Sequence, residues 1–349
     1  MSRFMSERLQ SLEAYVPGEQ PRQDGIIKLN TNESPFPPAP GVTDAVARAA
    51  QGLRLYSDLS AKRLIGLLAR TYGVAESQVI VGNGSDELLA FAFQAFGGYG
   101  LAFPDTTYGF YPVWAALYGL DARVIPLAED FSLRPGDYMG TGRCAVLANP
   151  NAPTGRAVPP GALAAIAASN PDRVLIVDEA YADFGDECAL GLLAAHDNIL
   201  IVRTFSKSRQ LAGGRLGFAI GSEALIADLN RVRYAFNPYN VNALTQAAGA
   251  AALEDAAYFD ACRRAVVETR AWSAAQLEAL GFRVLPSQAN FLFAAAPGLT
   301  GDEYRRGLRD KNILIRYFDL PRIRNYVRIT VGTRAQMERL IDVTKELLS

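Results

Sequence analysis

Residues 174–181 read Val174-Leu175-Ile176-Val177-Asp178-Glu179-Ala180-Tyr181. Four apolar residues, two of them valine, run straight into a carboxylate. A short run that is apolar on both faces suits a strand buried in a parallel sheet, because helices cover both sides of such a sheet. Six more runs of this kind occur, at 79–81, 100–103, 124–126, 145–147, 199–202 and 218–220. Helical patterns lie between several of them, for example at 61–72, 86–96 and 161–169. Strands alternating with helices predict an α/β fold built on a mostly parallel seven-stranded sheet.

The pattern changes toward the C-terminus. Helical periodicity runs over 243–280 with a break near Glu254-Asp255, followed by candidate strands at 282–285, 290–293, 313–315 and 327–331 and a last helix at 335–348. This reads as a smaller α+β domain. The first forty residues are irregular, and Pro35, Pro37, Pro38 and Pro40 make the stretch after Asn30 an extended arm rather than a helix. The expected division is an arm over 1–40, a large domain over 41–250 and a small C-terminal domain over 251–349. A chain of 349 residues is long enough for two domains.

Composition narrows the chemistry. Hydrophobic residues make up 50% and charged residues 20%, ordinary for a globular protein. The 35 basic and 36 acidic residues leave a net charge of −1, which argues against electrostatic binding to nucleic acid or a membrane surface. No apolar run approaches the ~18 residues of a transmembrane helix. Residues 1–20 are charged early and lack the apolar core of a secretory signal. Cys144, Cys188 and Cys262 have no metal-ligand spacing and fit a reduced, cytoplasmic compartment. The single histidine, His196, lies in a polar connection before a strand and reads as a solvated loop residue. One histidine excludes a multi-histidine zinc centre, and excludes a Ser-His-Asp triad unless His196 supplies it.

The second informative stretch is Thr204-Phe205-Ser206-Lys207-Ser208-Arg209, followed by Leu211-Ala212-Gly213-Gly214-Arg215-Leu216-Gly217-Phe218. A lysine just past a buried strand can face a cleft at the sheet edge. Withdrawn from water and near other cations, it has a lowered pKa and becomes an amine nucleophile. Hydroxyls, flexible backbone amides and an arginine suit a phosphate group. A Ser-Lys pair alone would be a solvated surface feature, and Asp178 alone could be a helix cap. Together, 29 residues apart, they specify pyridoxal phosphate. Its aldehyde condenses with a lysine, and an acid at the carboxyl end of a strand keeps its ring nitrogen protonated.

Seven motifs in order extend this reading over nearly the whole chain: Asn30-Thr31-Asn32-Glu33-Ser34-Pro35, Leu55-Tyr56-Ser57-Asp58, Gly82-Asn83-Gly84-Ser85-Asp86-Glu87, Thr107-Tyr108-Gly109, Asn149-Pro150-Asn151-Ala152-Pro153-Thr154-Gly155, the Asp178 and Lys207 segments taken together, and Val327-Arg328-Ile329-Thr330-Val331-Gly332-Thr333. The sequence resembles the fold type I pyridoxal-phosphate-dependent aminotransferases, and within them the histidinol-phosphate aminotransferase family. The resemblance implies that Lys207 carries the cofactor as a Schiff base and shuttles the proton, that Asp178 pairs with the ring nitrogen, and that Tyr181 hydrogen-bonds the ring hydroxyl oxygen. It implies that Tyr108 stacks on the ring, while Gly84, Ser85, Asp86, Thr204, Ser206 and Arg215 form the phosphate site. Tyr56 would reach the phosphate of a neighbouring subunit, which makes a homodimer part of the active site. Read alone, 84–86 could be a capped turn and Tyr108 a core aromatic. The family usually places an asparagine directly before Pro-Thr-Gly; here Ala152 stands there, and Asn151 is the candidate to take over its contact to the ring oxygen.

The same resemblance assigns Arg328 and Arg316 to the substrate anion and Tyr15 to the arm residue that closes over the site. Arg322, Arg324 and Arg334 lie nearby. Histidinol phosphate has no α-carboxylate, so both arginines would serve its phosphate in one half-reaction and the 2-oxoglutarate or glutamate carboxylates in the other. An aromatic amino acid aminotransferase, a threonine-phosphate decarboxylase-like lyase and a non-catalytic cofactor sensor are the alternatives. No winged-helix pattern precedes residue 30 and the charge is near zero, which disfavours the sensor.

Overall fold

The computed structural model describes residues 2–349 apart from Ser11, Val16, Pro17 and 22–24. Val16 and Pro17, the two residues after Tyr15, therefore lie outside the described residues. In chain order the strands are β1 (Ile27–Leu29), β2 (Val79–Asn83), β3 (Leu101–Pro104), β4 (Ala122–Ile125), β5 (Cys144–Ala148), β6 (Leu175–Asp178), β7 (Ile199–Thr204), β8 (Leu216–Ile220), β9 (Arg283–Val284), β10 (Phe291–Ala295), β11 (Ile313–Tyr317) and β12 (Tyr326–Thr330).

The seven runs expected as strands form one sheet in the order β2-β8-β7-β6-β5-β3-β4. Only β8 runs against its neighbours β2 and β7. The residues of β5, β6, β7 and β8 are all buried, because apolar clusters cover both faces. Helices Gly84–Phe96, Phe110–Tyr118 and Glu223–Phe236 pack their apolar sides on one face. Helices Lys62–Tyr72, Ala243–Glu254 and Pro160–Ser169 cover the other. The helical run over 243–280 is two helices, Ala243–Glu254 and Ala256–Ala279, and the Asp255 side chain between them caps the second by accepting from the Tyr258 N–H.

The second sheet has the order β1-β11-β12-β10-β9 and is antiparallel except for β1 beside β11. Its strand β1 comes from the stretch read as irregular. Ile27 pairs with Ile313 and Leu29 with Ile315, so the arm is stitched to the C-terminal sheet before the prolines begin. The proline-rich stretch stays non-helical until Pro40. There the fixed φ of the ring suits the first turn of helix Pro40–Ala50.

The register puts chemistry at one edge. Asp178 ends β6 opposite Ala148 on β5 and Val202 on β7. The loops after β5, β6 and β7 therefore emerge side by side, where open α/β sheets bind ligands. Antiparallel β8 starts at this edge, with Leu216 against Asn83, which brings Arg215 to the N-terminus of helix Gly84–Phe96. Gly217 permits that approach. A Cβ there would lie 2.3 Å from the Ser85 backbone nitrogen and 2.5 Å from the Gly84 carbonyl carbon. Gly217→Ala must push strand from helix, and overpacking of this kind costs about 1–3 kcal/mol. Urea unfolding should show a lower midpoint with an unchanged slope.

Candidate active site

A cavity of about 590 Å³ opens at this edge, lined among others by Ser85, Asp86, Tyr108, Ala152, Asp178, Tyr181, Thr204, Ser206, Lys207 and Arg215. A smaller lobe of about 150 Å³ holds Arg316, Phe318 and Arg328 and shares Tyr15, Tyr108 and Ala152 with the first. Thirteen of the fifteen expected site residues are thus in or beside one concave space. Tyr56 and Asn151 are the exceptions.

Asp178 is buried, and accepts hydrogen bonds from Tyr111 Oη at 2.8 Å and the Ala180 N–H at 3.2 Å. Burial outweighs these donors and lifts its pKa to about 6. A raised carboxyl pKa means that its contribution to stability is present below 3.8 and is lost as pH rises through about 6. At neutral pH the site therefore holds an anion with no cation beside it among the described residues. The adjacent Glu179 faces elsewhere: it is buried in an ion pair with Arg203 at 2.6 Å and accepts from the Ala189 N–H.

Lys207 follows β7, and its Nζ donates to the Thr31 carbonyl at 3.2 Å. Desolvation and then the nearby Arg328 push its pKa down to about 8, while Glu33 and Asp86 oppose them. At pH 7.5 about a quarter of such amines are neutral, against about one in a thousand for a solvated lysine. Ser208, next in the chain, hydrogen-bonds Asp183, which also receives Arg203 at 3.2 Å.

The phosphate-type corner is built from a helix end. Asn83, ahead of helix Gly84–Phe96, makes no side-chain cap, so the first-turn N–H groups remain for an anion. Gly84 has φ +78°, and a Cβ on it would meet Arg215 Nη2 at 2.5 Å. The Asp86 carboxylate is turned aside, accepting from Tyr108 Oη at 2.8 Å and from Arg215 at 3.2 Å. Thr204 and Ser206 share a hydrogen bond of 3.0 Å beside them. A buried unpaired carboxylate, a partly neutral lysine and an uncapped helix end match the three groups of pyridoxal phosphate: pyridinium, aldehyde and phosphate.

In the smaller lobe Arg316 and Arg328 are cross-strand partners on β11 and β12. Their guanidinium carbons lie 5.2 and 5.6 Å from the ring centre of Phe318. Arg328 Nη2 donates to the Asn30 carbonyl at 3.1 Å, while its buried Nε meets no partner among the described residues. Tyr15 stacks on Phe110 at 4.2 Å beside Tyr108. Two of the neighbouring arginines are committed elsewhere. Arg322 bonds Asp105 and the Leu127 and Ala128 carbonyls, and Arg334 lies over Trp272.

Asn151 requires a correction. It is buried below the cavity wall, with its Nδ2 on the Thr106 carbonyl at 2.9 Å and Thr154 Oγ1 at 3.0 Å, and its Oδ1 accepting from Thr107 at 2.8 Å. Those bonds hold the loop and leave the amide nothing for a cofactor; Ala152 lines the cavity instead. Tyr56 is 83% exposed and stacks on Tyr239, away from its own chain's cavity. Two residues went unassigned in the sequence. Tyr111 lies three positions after Tyr108, in the first turn of helix Phe110–Tyr118, and nothing local in the sequence marks it. Asn32, at φ 56°, hydrogen-bonds Tyr181 Oη at 2.9 Å.

A mostly parallel sheet with a lysine, a carboxylate and an anion-binding helix end at one edge defines a fold type I pyridoxal-phosphate-dependent transaminase. The chain belongs to the family Aminotransferase class I and II, whose sequence profile matches residues 24–343. Relatives within that family include histidinol-phosphate aminotransferases. It is 50% identical to histidinol-phosphate aminotransferase 1 of Bradyrhizobium diazoefficiens over the full length of both chains. It is 48% identical to histidinol-phosphate aminotransferase 2 of Dechloromonas aromatica over 99% of each. The solved histidinol-phosphate aminotransferase of Sinorhizobium meliloti, in complex with pyridoxal-5'-phosphate, superposes with a TM-score of 0.87 at 26% identity, covering 99% of each chain.

The pKa of Lys207 sets a pH dependence. Capture of pyridoxal phosphate by the cofactor-free protein should accelerate as pH rises through about 8 and level off above it. Stopped-flow growth of the visible absorbance band reads this directly. A rate still climbing toward pH 10.5 would mean a solvated amine.

Proposed function

We propose that this chain transfers the amino group of histidinol phosphate to 2-oxoglutarate, as a cytoplasmic homodimer of histidine biosynthesis. The observation that carries the reading is the pairing of Arg316 with Arg328 in the lobe next to Lys207. Two guanidinium groups at one end suit a phosphate dianion in one half-reaction and a carboxylate in the other. The names of the full-length relatives support the same substrate.

Pyridoxal phosphate, when bound, supplies the aldehyde that takes up the amino group and a ring that draws electrons from the substrate α-carbon. Asp178 holds the proton on the ring nitrogen; a cation beside it offsets the burial that raises its pKa. Tyr108 offers a ring face fixed by its bond to Asp86. Tyr181 donates toward the ring oxygen. The first-turn amides at Ser85 and Asp86, with Thr204, Ser206 and Arg215, hold the phosphate, and the turn at Gly84 leaves room for Arg215. Lys207, as a neutral amine, would take the proton from the substrate α-carbon and hold it for return. Tyr15 closes the substrate lobe from the arm.

We further take 1–40 as the arm, 41–250 as the cofactor-binding domain and 251–349 as the smaller domain that brings in the arginines. The homodimer is supported by an exposed apolar surface around Tyr56, with Leu55 60% exposed and Phe236 71% exposed. In this assembly Tyr56 completes the phosphate site of the partner. A mixture of Tyr56→Phe and Lys207→Ala chains should then recover part of the activity that each lacks. An active monomer in sedimentation would overturn the shared site.

Donor kinetics test the substrate. At saturating 2-oxoglutarate, histidinol phosphate should outrun phenylalanine, tyrosine and threonine phosphate as amino donor. Arg316→Ala should lower kcat/KM for histidinol phosphate roughly 10- to 150-fold, the range of one charge-assisted hydrogen bond, and affect phenylalanine much less. Arg328→Ala should damage both donors. Equal losses for both donors in Arg316→Ala would overturn the phosphate clamp.

A further inference from the structure

We propose that Asn32 is a positioning residue that aims the hydroxyl proton of Tyr181 into the cavity. The inference rests on the reading of that cavity as a pyridoxal phosphate site. Asn32 is only 1% exposed and has φ 56°, a left-handed conformation that asparagine tolerates better than most residues. All of its polar groups are engaged. Its backbone N–H donates to Thr330 Oγ1 at 2.9 Å, and its carbonyl accepts from Asn290 Nδ2 at 3.0 Å. The Thr330 hydroxyl in turn donates to Asn32 Oδ1 at 3.0 Å.

These bonds decide which way the side-chain amide faces. The Thr330 hydroxyl hydrogen needs an acceptor, and Oδ1 is that acceptor, so Nδ2 is left to face Tyr181. Nδ2 donates to Tyr181 Oη at 2.9 Å. A phenol oxygen that receives a hydrogen bond from this side cannot send its own proton back the same way. The remaining direction is the cavity, which Tyr181 lines beside Ala152. Ala152 contributes no polar atom and Asn151 is spent elsewhere, so the direction of the Tyr181 proton carries the contact to the ring oxygen. The other charged and titratable groups around Tyr181 among the described residues are Arg328, Asp178, Tyr15, Lys207, Tyr108 and Tyr111, and none is altered in the variants below. If Asn32 only tied the arm to β12, the direction of that proton would not depend on it.

The test uses the holoenzyme and the pH titration of its visible absorbance. A donor to the ring oxygen stabilises the oxygen anion, which lowers the pH at which the imine nitrogen on Lys207 gives up its proton. Asn32→Gly accepts the same backbone conformation and introduces no charge. It should raise the titration midpoint by about 0.5–1 pH unit, the scale of one net hydrogen bond. Tyr181→Phe should raise it as well, and the double variant should go no further than Tyr181→Phe alone. An unchanged midpoint in Asn32→Gly, or shifts that simply add in the double variant, would overturn the proposal. Should Asn32→Gly fail to fold or to take up cofactor, Thr330→Val removes only the hydroxyl that orients the amide. It must then move the midpoint in the same direction, and a midpoint that stays put counts against the relay. An unsubstituted protein that develops no pH-dependent band with pyridoxal phosphate would instead defeat the cofactor reading.

Discussion

The site depends on a buried ion pair behind it. Glu179, at the end of β6, binds Arg203 of β7 through two nitrogens, and Arg203 also reaches Asp183. Because neighbouring residues leave the end of a strand on opposite sides, fixing Glu179 on one side fixes Asp178 on the other. Asp183 then engages Ser208, the residue after Lys207. One buried cluster thus sets where the carboxylate and the lysine stand relative to each other. Such pairs return little net stability once desolvation is counted. Their yield here is position.

In front of that cluster the electrostatics are left unresolved. Among the described residues Asp178 has no cation and Arg328 Nε no partner, while Lys207 is drained of part of its charge. Each would be a fault in a core, and each matches a group of the cofactor or an anion of the substrate. A ligand that relieves all three binds the folded chain and not the unfolded one, so cofactor loading and folding stability are coupled. Local rules are broken here because the missing partner is a small molecule.

What the sequence made legible follows from the range of the interactions. Six strands of the large sheet could be read because their runs are largely apolar, a property of consecutive residues; β4, at the sheet edge with Arg123 and Val124 exposed, was read from its Val124-Ile125 run alone. Asp178 and Lys207 could be read because a strand end predicts which edge a side chain reaches. Strand β1 was invisible: three residues, paired with Ile313–Tyr317 at the other end of the chain. Tyr111 and Asn32 have partners 67 and 149 positions away, and no local pattern marks them. Asn151 misled for the opposite reason. It stands next to the expected position, but one step along an irregular loop turned its amide toward Thr106 and Thr154 instead of the cavity.

The softened charge on Lys207 has a cost for chains that have folded and not yet been loaded. A partly neutral amine at the floor of an open cavity does not discriminate among carbonyl compounds, so stray aldehydes or isocyanates compete for the same nitrogen. The Arg215 and helix-end corner counters this by favouring molecules that carry a phosphate. On the proposed assignment of the phosphate site, selectivity for the right aldehyde resides in the anion corner, and the lysine supplies reactivity.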